Sequence, residues 1–538
     1  MEIRRLAILA RRASEETTGI SRWRFGPLCR CHISKSATSR NPSEGPRIAV
    51  FAVPRSRIGL VLKTLLVWLI ASLECSIALA SNAAAARPNV LLIAIDDLND
   101  WVGCLAGHPQ IRTPHIDRLA KRGVLFTNAH CQAPICNPSR TSFFTGVLPS
   151  NSGVYDNNQM FRNAPRLKDL RTMPQHFRDH GYVAWGVGKL YHGNTRDPQS
   201  WTEDGGRKRT RRPPKGAANL SGIPGIRVRD FGPIDMTDQQ MGDMVATQWA
   251  AGKLTESYNK PFFLALGITL PHVPLYAPRP YFEKYPVTRV KLPPLLDNDR
   301  DDLPPSAIKL TEYMYDTPLN QKSIVETDNW ANAVRAYLAC TSFVDTCVGR
   351  IIKSLDSSPF ADNTIIVLWS DHGWHLGEKD HWAKRTLWER STHVPMIMIA
   401  PRVSQTGKRC TRPVQLADVY PTLVELCAFD QPTHTLDGHS LVPLLGDTSA
   451  VWKWPALTTG DRGNHAIRSE HWRYIRYADG SEELYDHRND PNEWHNLASL
   501  PEHAEVIKRH ARRLPKHNEP NAPRSRRNRS SRPKKRRP

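Results

Sequence analysis

Two short runs of branched apolar residues, each ending abruptly at acidic residues, constrain how this chain can fold. Residues 89–95 read Asn-Val-Leu-Leu-Ile-Ala-Ile and stop at Asp96-Asp97; residues 364–369 read Thr-Ile-Ile-Val-Leu-Trp and stop at Ser370-Asp371-His372-Gly373. Neither run alternates polar with apolar, so each predicts a strand buried on both faces, of the kind that helices cover on either side. Acidic clusters at the carboxyl ends of two such strands predict an α/β sheet with its site at the strand ends. Phe262 to Ile268 and Met396 to Ile399 are further predicted strands, and residues 329–354, with apolar Val334, Leu338 and Val344, predict a long helix.

A chain of 538 residues exceeds one small core, so a large domain (residues 87–455) and a smaller C-terminal one (456–515) are expected. The formal net charge of +22 reads as a nucleic-acid signal until it is divided along the chain. Residues 1–57 carry +8 and residues 521–538 carry +9, which leaves +5 for everything between. The charge lives at the ends.

Arg55, Arg57 and Lys63 flank a largely apolar stretch from Thr64 to Ile77, and Ala78-Leu79-Ala80 is an A-x-A cleavage pattern. Residues 58–80 therefore predict a secretory signal, and the protein is expected to be exported, periplasmic or secreted. Glu74 within the stretch and its small-residue ending argue against a stable membrane anchor. Residues 1–57 are a basic extension that either precedes an unusually late signal or is not translated. An exported protein has little access to nucleic acid, so none is expected as a partner. Seven cysteines follow Ala80: Cys104, Cys131, Cys136, Cys340, Cys347, Cys410 and Cys427. An odd count leaves one unpaired or modified. A Cys410–Cys427 pair and buried free thiols both fit.

Residues 205–216, rich in Arg, Lys and Pro, read as an exposed insertion that either meets a polyanion or is simply solvated. The proline-rich residues 273–305 predict a long irregular excursion near the site. From about residue 456 the segments become short and alternating. Residues 472–477, a turn at Ala478-Asp479-Gly480, and residues 483–485 predict a β-hairpin in a small antiparallel sheet. Residues 516–538, polar and basic, predict a disordered tail.

The chemistry concentrates in Cys136-Asn-Pro-Ser-Arg-Thr-Ser-Phe-Phe-Thr-Gly146. Pro138 suits the first turn of a helix, which puts Cys136 at its mouth, where free N–H groups favour an anion, with Arg140 one turn in. The C-x-P-S-R…T-G pattern resembles the first signature of the sulfatase family, in which a maturation enzyme oxidises that cysteine to formylglycine. Gly181-Tyr-Val-Ala-Trp-Gly-Val-Gly-Lys189-Leu-Tyr-His192 resembles its second, with Ala184 standing where Ser or Thr is usual. The resemblance spans roughly residues 87–500. It implies an alkaline-phosphatase/sulfatase-like α/β fold: a large mixed sheet sandwiched by helices, with a smaller C-terminal α+β subdomain carrying an antiparallel sheet.

Asp96, Asp97 and Asp371 form an oxygen-rich set suited to a hard cation such as Ca²⁺, or, for Asp96-Asp97, a helix cap. The family holds its divalent ion at these places, and the resemblance adds Cys136 and His372 as ligands. His372, where many members have Asn, matches the iduronate-2-sulfatase branch, as do Pro261-Phe-Phe-Leu, Pro271-His272-Val-Pro274, Trp382-Ala-Lys384 and Thr392-His-Val-Pro395. As a ligand, His372 must be neutral.

The implied reaction uses formylglycine at position 136, as a hydrated aldehyde on the metal, to attack sulfur, with Asp371 as base. Arg140 steadies the nucleophile, and Lys189 and Lys384 hold sulfate oxygens. His272 protonates the leaving oxygen, and His192 helps expel the covalent sulfate. Trp374 and His375 are expected to line the pocket. The implied partners are a sulfated carbohydrate substrate, from polysaccharides or glycosaminoglycan-type sugars, and a formylglycine-generating enzyme. Two other readings remain at this stage: a phosphonate or phosphate monoester hydrolase of the same superfamily, and a non-catalytic polyanion-binding protein.

Overall fold

The computed structural model describes residues 87–193, 196–208, 219–226, 229–312 and 319–524. The basic extension, the signal, most of the 205–216 insertion and residues 525–538 lie outside the described residues.

The four predicted strands are joined by four more, and the eight assemble into one sheet. In chain order they are β1 (Asn89–Ile95), β2 (Val124–Phe126), β3 (Val183–Gly188), β4 (Glu203–Gly206), β5 (Phe262–Ile268), β6 (Thr364–Ser370), β7 (Met396–Ile399) and β8 (Lys408–Cys410). Their spatial order is β8-β2-β7-β6-β1-β5-β3-β4. β7 runs antiparallel to both its neighbours, and every other pairing is parallel, so the sheet is mixed.

Both faces of the central strands are apolar because both are covered. Leu91, Ile93 and Ile95 point into one core with α4 (Gly242–Lys253) and α5 (Trp330–Asp356); α1 (Pro114–Ala120) joins them. Val90, Leu92 and Ala94 point into the other, with α2 (Cys136–Thr145), α3 (Met173–Asp179) and α6 (Val419–Leu426). This packing explains the unbroken apolar runs at 89–95 and 364–369.

Register then places the site. Ile95 of β1 lies level with Ile268 of β5 and Ser370 of β6, and Gly188 of β3 lies level with Gly267 of β5. Four parallel strands thus end together, and the residues that follow them emerge at one edge of the sheet.

The C-terminal segment forms a four-stranded antiparallel meander: β9 (Ala456–Thr459), β10 (His465–Arg468), β11 (Trp472–Arg476) and β12 (Glu482–Asp486). The predicted hairpin is β11–β12, with Tyr474 opposite Leu484. One face packs on Leu387 and Trp388, the other on Leu148, Ala417 and the residues around α7 (Ala504–Ala511). Two expectations need correction. Residues 273–305 include a short strand (Leu275–Pro278) and a helix (Arg279–Glu283). Residues 516–524, predicted disordered, lie along residues 150–159, held by main-chain bonds such as Glu519 N to Ser150 O (2.8 Å) and Ala522 N to Gly153 O (2.8 Å). The described cysteines form no disulfide.

Candidate active site

Cys136 opens α2, after Ile135 in extended backbone, and Ser139 N closes the first turn on Ile135 O at 3.2 Å. Every residue of α2 is buried. Phe143 stacks on Trp369 of β6 with ring centroids 3.7 Å apart, which pins the helix to the sheet and its N-terminus to the strand ends.

Three cationic or imidazole groups converge on the Cys136 sulfur. Lys384 Nζ is 3.2 Å away, His372 Nε2 3.4 Å and Lys189 Nζ 3.6 Å, and Asp97 Oδ1, in contact with Lys384 and His372, lies 4.0 Å from the sulfur. Burial raises the thiol's pKa, but Lys189, Lys384, His372 and a hydrogen bond with His192 outweigh it and hold it well below the ordinary thiol value. Lys189 reaches this point because Gly188 turns the chain at φ +83, where a Cβ would collide with the carbonyl oxygen of Gly267.

Asp96, Asp97, Cys136 and His372 each offer a ligand atom, all within 4.8 Å of one another and all buried. Asp371 flanks them: its Oδ1 accepts from Asp97 N at 3.1 Å and lies 3.6 Å from His372 Nε2. Carboxylate oxygens dominate the set, as a hard divalent cation requires. Asp97 Oδ2 is buried without a hydrogen-bond partner, although a buried carboxylate oxygen normally has one. These residues fit the implied ion. Without it, burial lowers the basicity of His372, but Asp371, with Asp97 and Cys136, more than offsets this and lifts its pKa to about 9. An ion held by the same carboxylates competes with that proton and favours neutral imidazole.

Arg140 is fully buried behind this cluster. Its Nε donates to Asp371 Oδ2 at 2.7 Å, one terminal nitrogen lies 3.3 Å from Asp96 Oδ1, and the other donates to the carbonyls of Lys189 and Leu190. The guanidinium therefore orients two carboxylates and the chain end of β3. Asp96 also pairs with Lys189. Burial pushes both carboxyls up, and Lys189, His272 and Arg140 hold Asp96 low, while the charge of Asp96 adds to burial in keeping Asp371 high.

Lys384 Nζ meets Asp97 Oδ1 at 2.6 Å and lies over the Trp374 ring, 5.5 Å from its centroid. His272 Nδ1 is 2.7 Å from its neighbour Val273 O, a carbonyl, so that nitrogen carries the hydrogen and Nε2 is left for other work. Trp374 belongs to this neighbourhood. His375 does not: its ring is buried against Thr386 Oγ1 (2.9 Å) and Glu378 O (3.2 Å), a correction to its expected place in the lining. His375 opens a two-residue strand, His375–Leu376, paired with Trp382–Ala383, and Trp374 lies before it.

Several supporting residues escaped the sequence reading. Tyr337 of α5 donates to Asp97 O at 2.7 Å and accepts from Asn99 N at 2.9 Å. Ser370 accepts from Leu98 N at 3.0 Å, and Ser139 donates to Asp371 O at 2.5 Å. Asn137 Nδ2 donates to Asp156 O and Gln159 O at 2.9 and 2.7 Å. Ser139 and Ser370 sit inside the recognised motifs, whereas nothing in sequence marks Tyr337. A second cluster, Glu389, His487 and Glu493, also gathers ligand atoms, but Arg468 and Arg473 already neutralise its carboxylates.

The mixed sheet between helical layers is the alkaline-phosphatase/sulfatase-like fold expected from the sequence, shared with the phosphonate monoester hydrolase of Agrobacterium radiobacter. That structure superposes with a TM-score of 0.66 at 22% identity, over 80% of this chain and 95% of the other, a likeness of fold alone. Within that class the sequence is more specific. The family model called Sulfatase matches residues 88–428, and one described as N-sulphoglucosamine sulphohydrolase, C-terminal, matches residues 377–520. A protein named sulfatase from Formosa agariphila is 39% identical over 429 residues, 77% of this chain and 83% of that protein. The iduronate 2-sulfatase of Homo sapiens is 31% identical over 402 residues, 65% of this chain and 71% of that protein. The chain belongs to the sulfatase family, a family of sulfuric ester hydrolases.

Proposed function

We propose that the protein is an exported, calcium-dependent sulfatase acting on sulfated polysaccharides or glycosaminoglycan-type sugars, with an iduronate-2-sulfatase-like site. The observation that carries this reading is the convergence of Lys384, Lys189 and His372 on Cys136, over the carboxylates of Asp96 and Asp97. The similarity to the human iduronate 2-sulfatase supports the choice of sugar class.

Asp96, Asp97, Asp371 and His372, with residue 136, would hold the ion; when bound, it neutralises charge and lowers the proton affinity of an oxygen beside it. Maturation of Cys136 to formylglycine places an oxygen nucleophile where the sulfur stands. Lys384 and Lys189 bind sulfate oxygens and stabilise the charge that grows on them in the transition state. Arg140 keeps Asp371 and Asp96 oriented, and Asp371 accepts the proton of the attacking hydroxyl. His272 Nε2 gives a proton to the leaving sugar oxygen. His192, hydrogen-bonded to residue 136, takes a proton from it when the sulfate departs. Its imidazole basicity is lowered by burial, which suits a group that must release that proton again.

Peptide mass spectrometry across Cys136 in protein from a host with the maturation enzyme tests the nucleophile, and matched aryl sulfate and aryl phosphate test the reaction. An aldehyde at 136, and preferred turnover of the sulfate that is lost in Cys136→Ala, are expected. An unmodified thiol sinks the mechanism, and preferred turnover of the phosphate moves the protein to the phosphomonoesterase reading.

A further inference from the structure

Lys384 stands in a contorted stretch of chain. Gly377 (φ +129), Lys379 (φ +55), Asp380 (φ +50), Ala383 (φ +114) and Arg385 (φ +85) all have positive φ, and four of them carry a side chain that makes such backbone costly. Ala383 and Arg385 flank the lysine directly. Backbone of this kind persists only where its surroundings hold it.

Three holds act on this turn. Ala383 pairs with His375 in a two-residue ladder, and Arg385 N donates to Pro134 O at 3.0 Å. Between them, the carbonyl oxygen of Lys384 lies 3.0 Å from His381 Nε2. That oxygen can only accept, so the ring nitrogen carries the hydrogen and donates. The first two holds are main-chain bonds, and the third comes from a side chain. His381 is buried, and burial pulls its pKa down to about 4 against the lift from the main chain of Lys384 and Thr311. The ring is therefore uncharged near neutral pH and holds the turn without repelling the ammonium at the end of the lysine. His375, which does not line the pocket, packs edge-on against His381 with ring centroids 5.0 Å apart. From this turn, Lys384 Nζ reaches Asp97 Oδ1 at 2.6 Å and Cys136 Sγ at 3.2 Å.

We propose that His381 is a positioning residue for Lys384: its ring N–H fixes the lysine's carbonyl, which keeps the peptide between Ala383 and Arg385 in the orientation that carries the ammonium to Asp97 and residue 136. The inference rests on the sulfate-binding role given to Lys384 above. A rotated peptide moves the base of a four-carbon stem, and the displacement is carried to its tip. At a reacting centre a misplacement of about 1 Å can cost on the order of 10²-fold in rate.

The test compares three variants: His381→Phe, which keeps a ring and removes the donor, His381→Leu, which removes both, and His381→Gln, whose amide can donate from the place of Nε2. In all three, Lys379 still ties the start of the turn to Asp299 at 2.6 Å, so the fold is expected to survive, and urea midpoints check it. With an aryl sulfate, the Phe and Leu variants should lose about tenfold in kcat/KM, mostly in kcat, and the Gln variant should recover most of it. In a Lys384→Ala background, His381→Phe should cost nothing further, because the lysine through which it acts is gone. A crystal structure of His381→Phe should show Lys384 Nζ out of hydrogen-bond reach of Asp97 Oδ1. Equal losses in the Phe and Gln variants overturn the proposal, as does a full loss added on top of Lys384→Ala. Lys384 unmoved in the crystal also overturns it. If the parent turns over no aryl sulfate, the sulfatase reading has failed, and the crystal structure still decides whether His381 places Lys384.

Discussion

The hydroxyl of Tyr337 donates to the main-chain oxygen of Asp97 at 2.7 Å, across the gap between the longest described helix and the end of β1. Asp97 sits at φ +60, a left-handed conformation that a non-glycine residue adopts at a cost. The tyrosine holds that turn, and with it the direction of the carboxylate.

Tyr337→Phe removes the hydroxyl and keeps the ring. Loss of such an outer partner should weaken divalent-cation affinity by roughly tenfold or more. Isothermal titration of the metal-free protein with Ca²⁺ reads this directly. Affinity equal to the parent would show that packing alone holds Asp97.

Arg140→Met leaves Asp371 and Asp96 without their buried partner. Removal of one member of a buried ion pair costs about 3–5 kcal/mol, so urea unfolding of the metal-free protein should shift by that order. Arg140→Met combined with Asp371→Asn should lose less than the two single variants added together, because the orphaned charge is gone. Strict additivity would mean that the two groups are not coupled.

Lys384→Ala should lower kcat/KM for an aryl sulfate by about 10²–10³-fold, the usual loss when a donor to a developing oxyanion is removed. Lys384→Arg should recover little, since the planar guanidinium cannot occupy the compact contact with Asp97 Oδ1. Steady-state kinetics on both variants, with Ca²⁺ saturating, would check the point. Full activity in Lys384→Ala would assign the lysine to packing on Trp374.

Asp345 of α5 caps the start of α1, its Oδ1 accepting from His115 N at 3.0 Å and Ile116 N at 2.8 Å. Burial outweighs those bonds and pushes its carboxyl up to about 7. Between pH 4 and 7 the folded protein then keeps a proton that the unfolded chain has lost. Stability from this group is therefore complete below pH 4 and declines as pH rises through 7. In Asp345→Asn, Oδ1 still accepts both bonds, so the pH-dependent decline should flatten. Urea midpoints at pH 5, 6, 7 and 8 measure it, and an unchanged slope would mean that the helix amides keep Asp345 ionised throughout.

The strands β1, β5, β6 and β7 were legible because strands covered on both faces leave unbroken apolar runs, as at 89–95 and 364–369. The C-terminal meander was legible for the complementary reason: β11 and β12 flank a turn at Ala478-Asp479-Gly480. The ordered stretch 517–524 was not. It is held largely through its own main-chain groups, at Glu519 and Ala522, and main-chain bonds leave no mark in composition. His375 was misplaced because its partners, Thr386 Oγ1 and Glu378 O, are set by how the loop folds back on itself, which adjacency to Trp374 does not reveal.

What the sequence determined by itself was the list of reactive groups and the local geometry nearest them: a cysteine at a Pro-started helix, acids after apolar strands, a lysine after Gly188. Their convergence came from the folded arrangement. Asp97, Cys136, Lys189 and Lys384 are separated by up to 287 positions, and Lys384 still meets Asp97 at 2.6 Å. Parallel register among β1, β3, β5 and β6, and the seating of α2 through Phe143 on Trp369, bring them together. Register is a property of pairing between strands, set by which apolar faces fit across the sheet, and no single segment carries it.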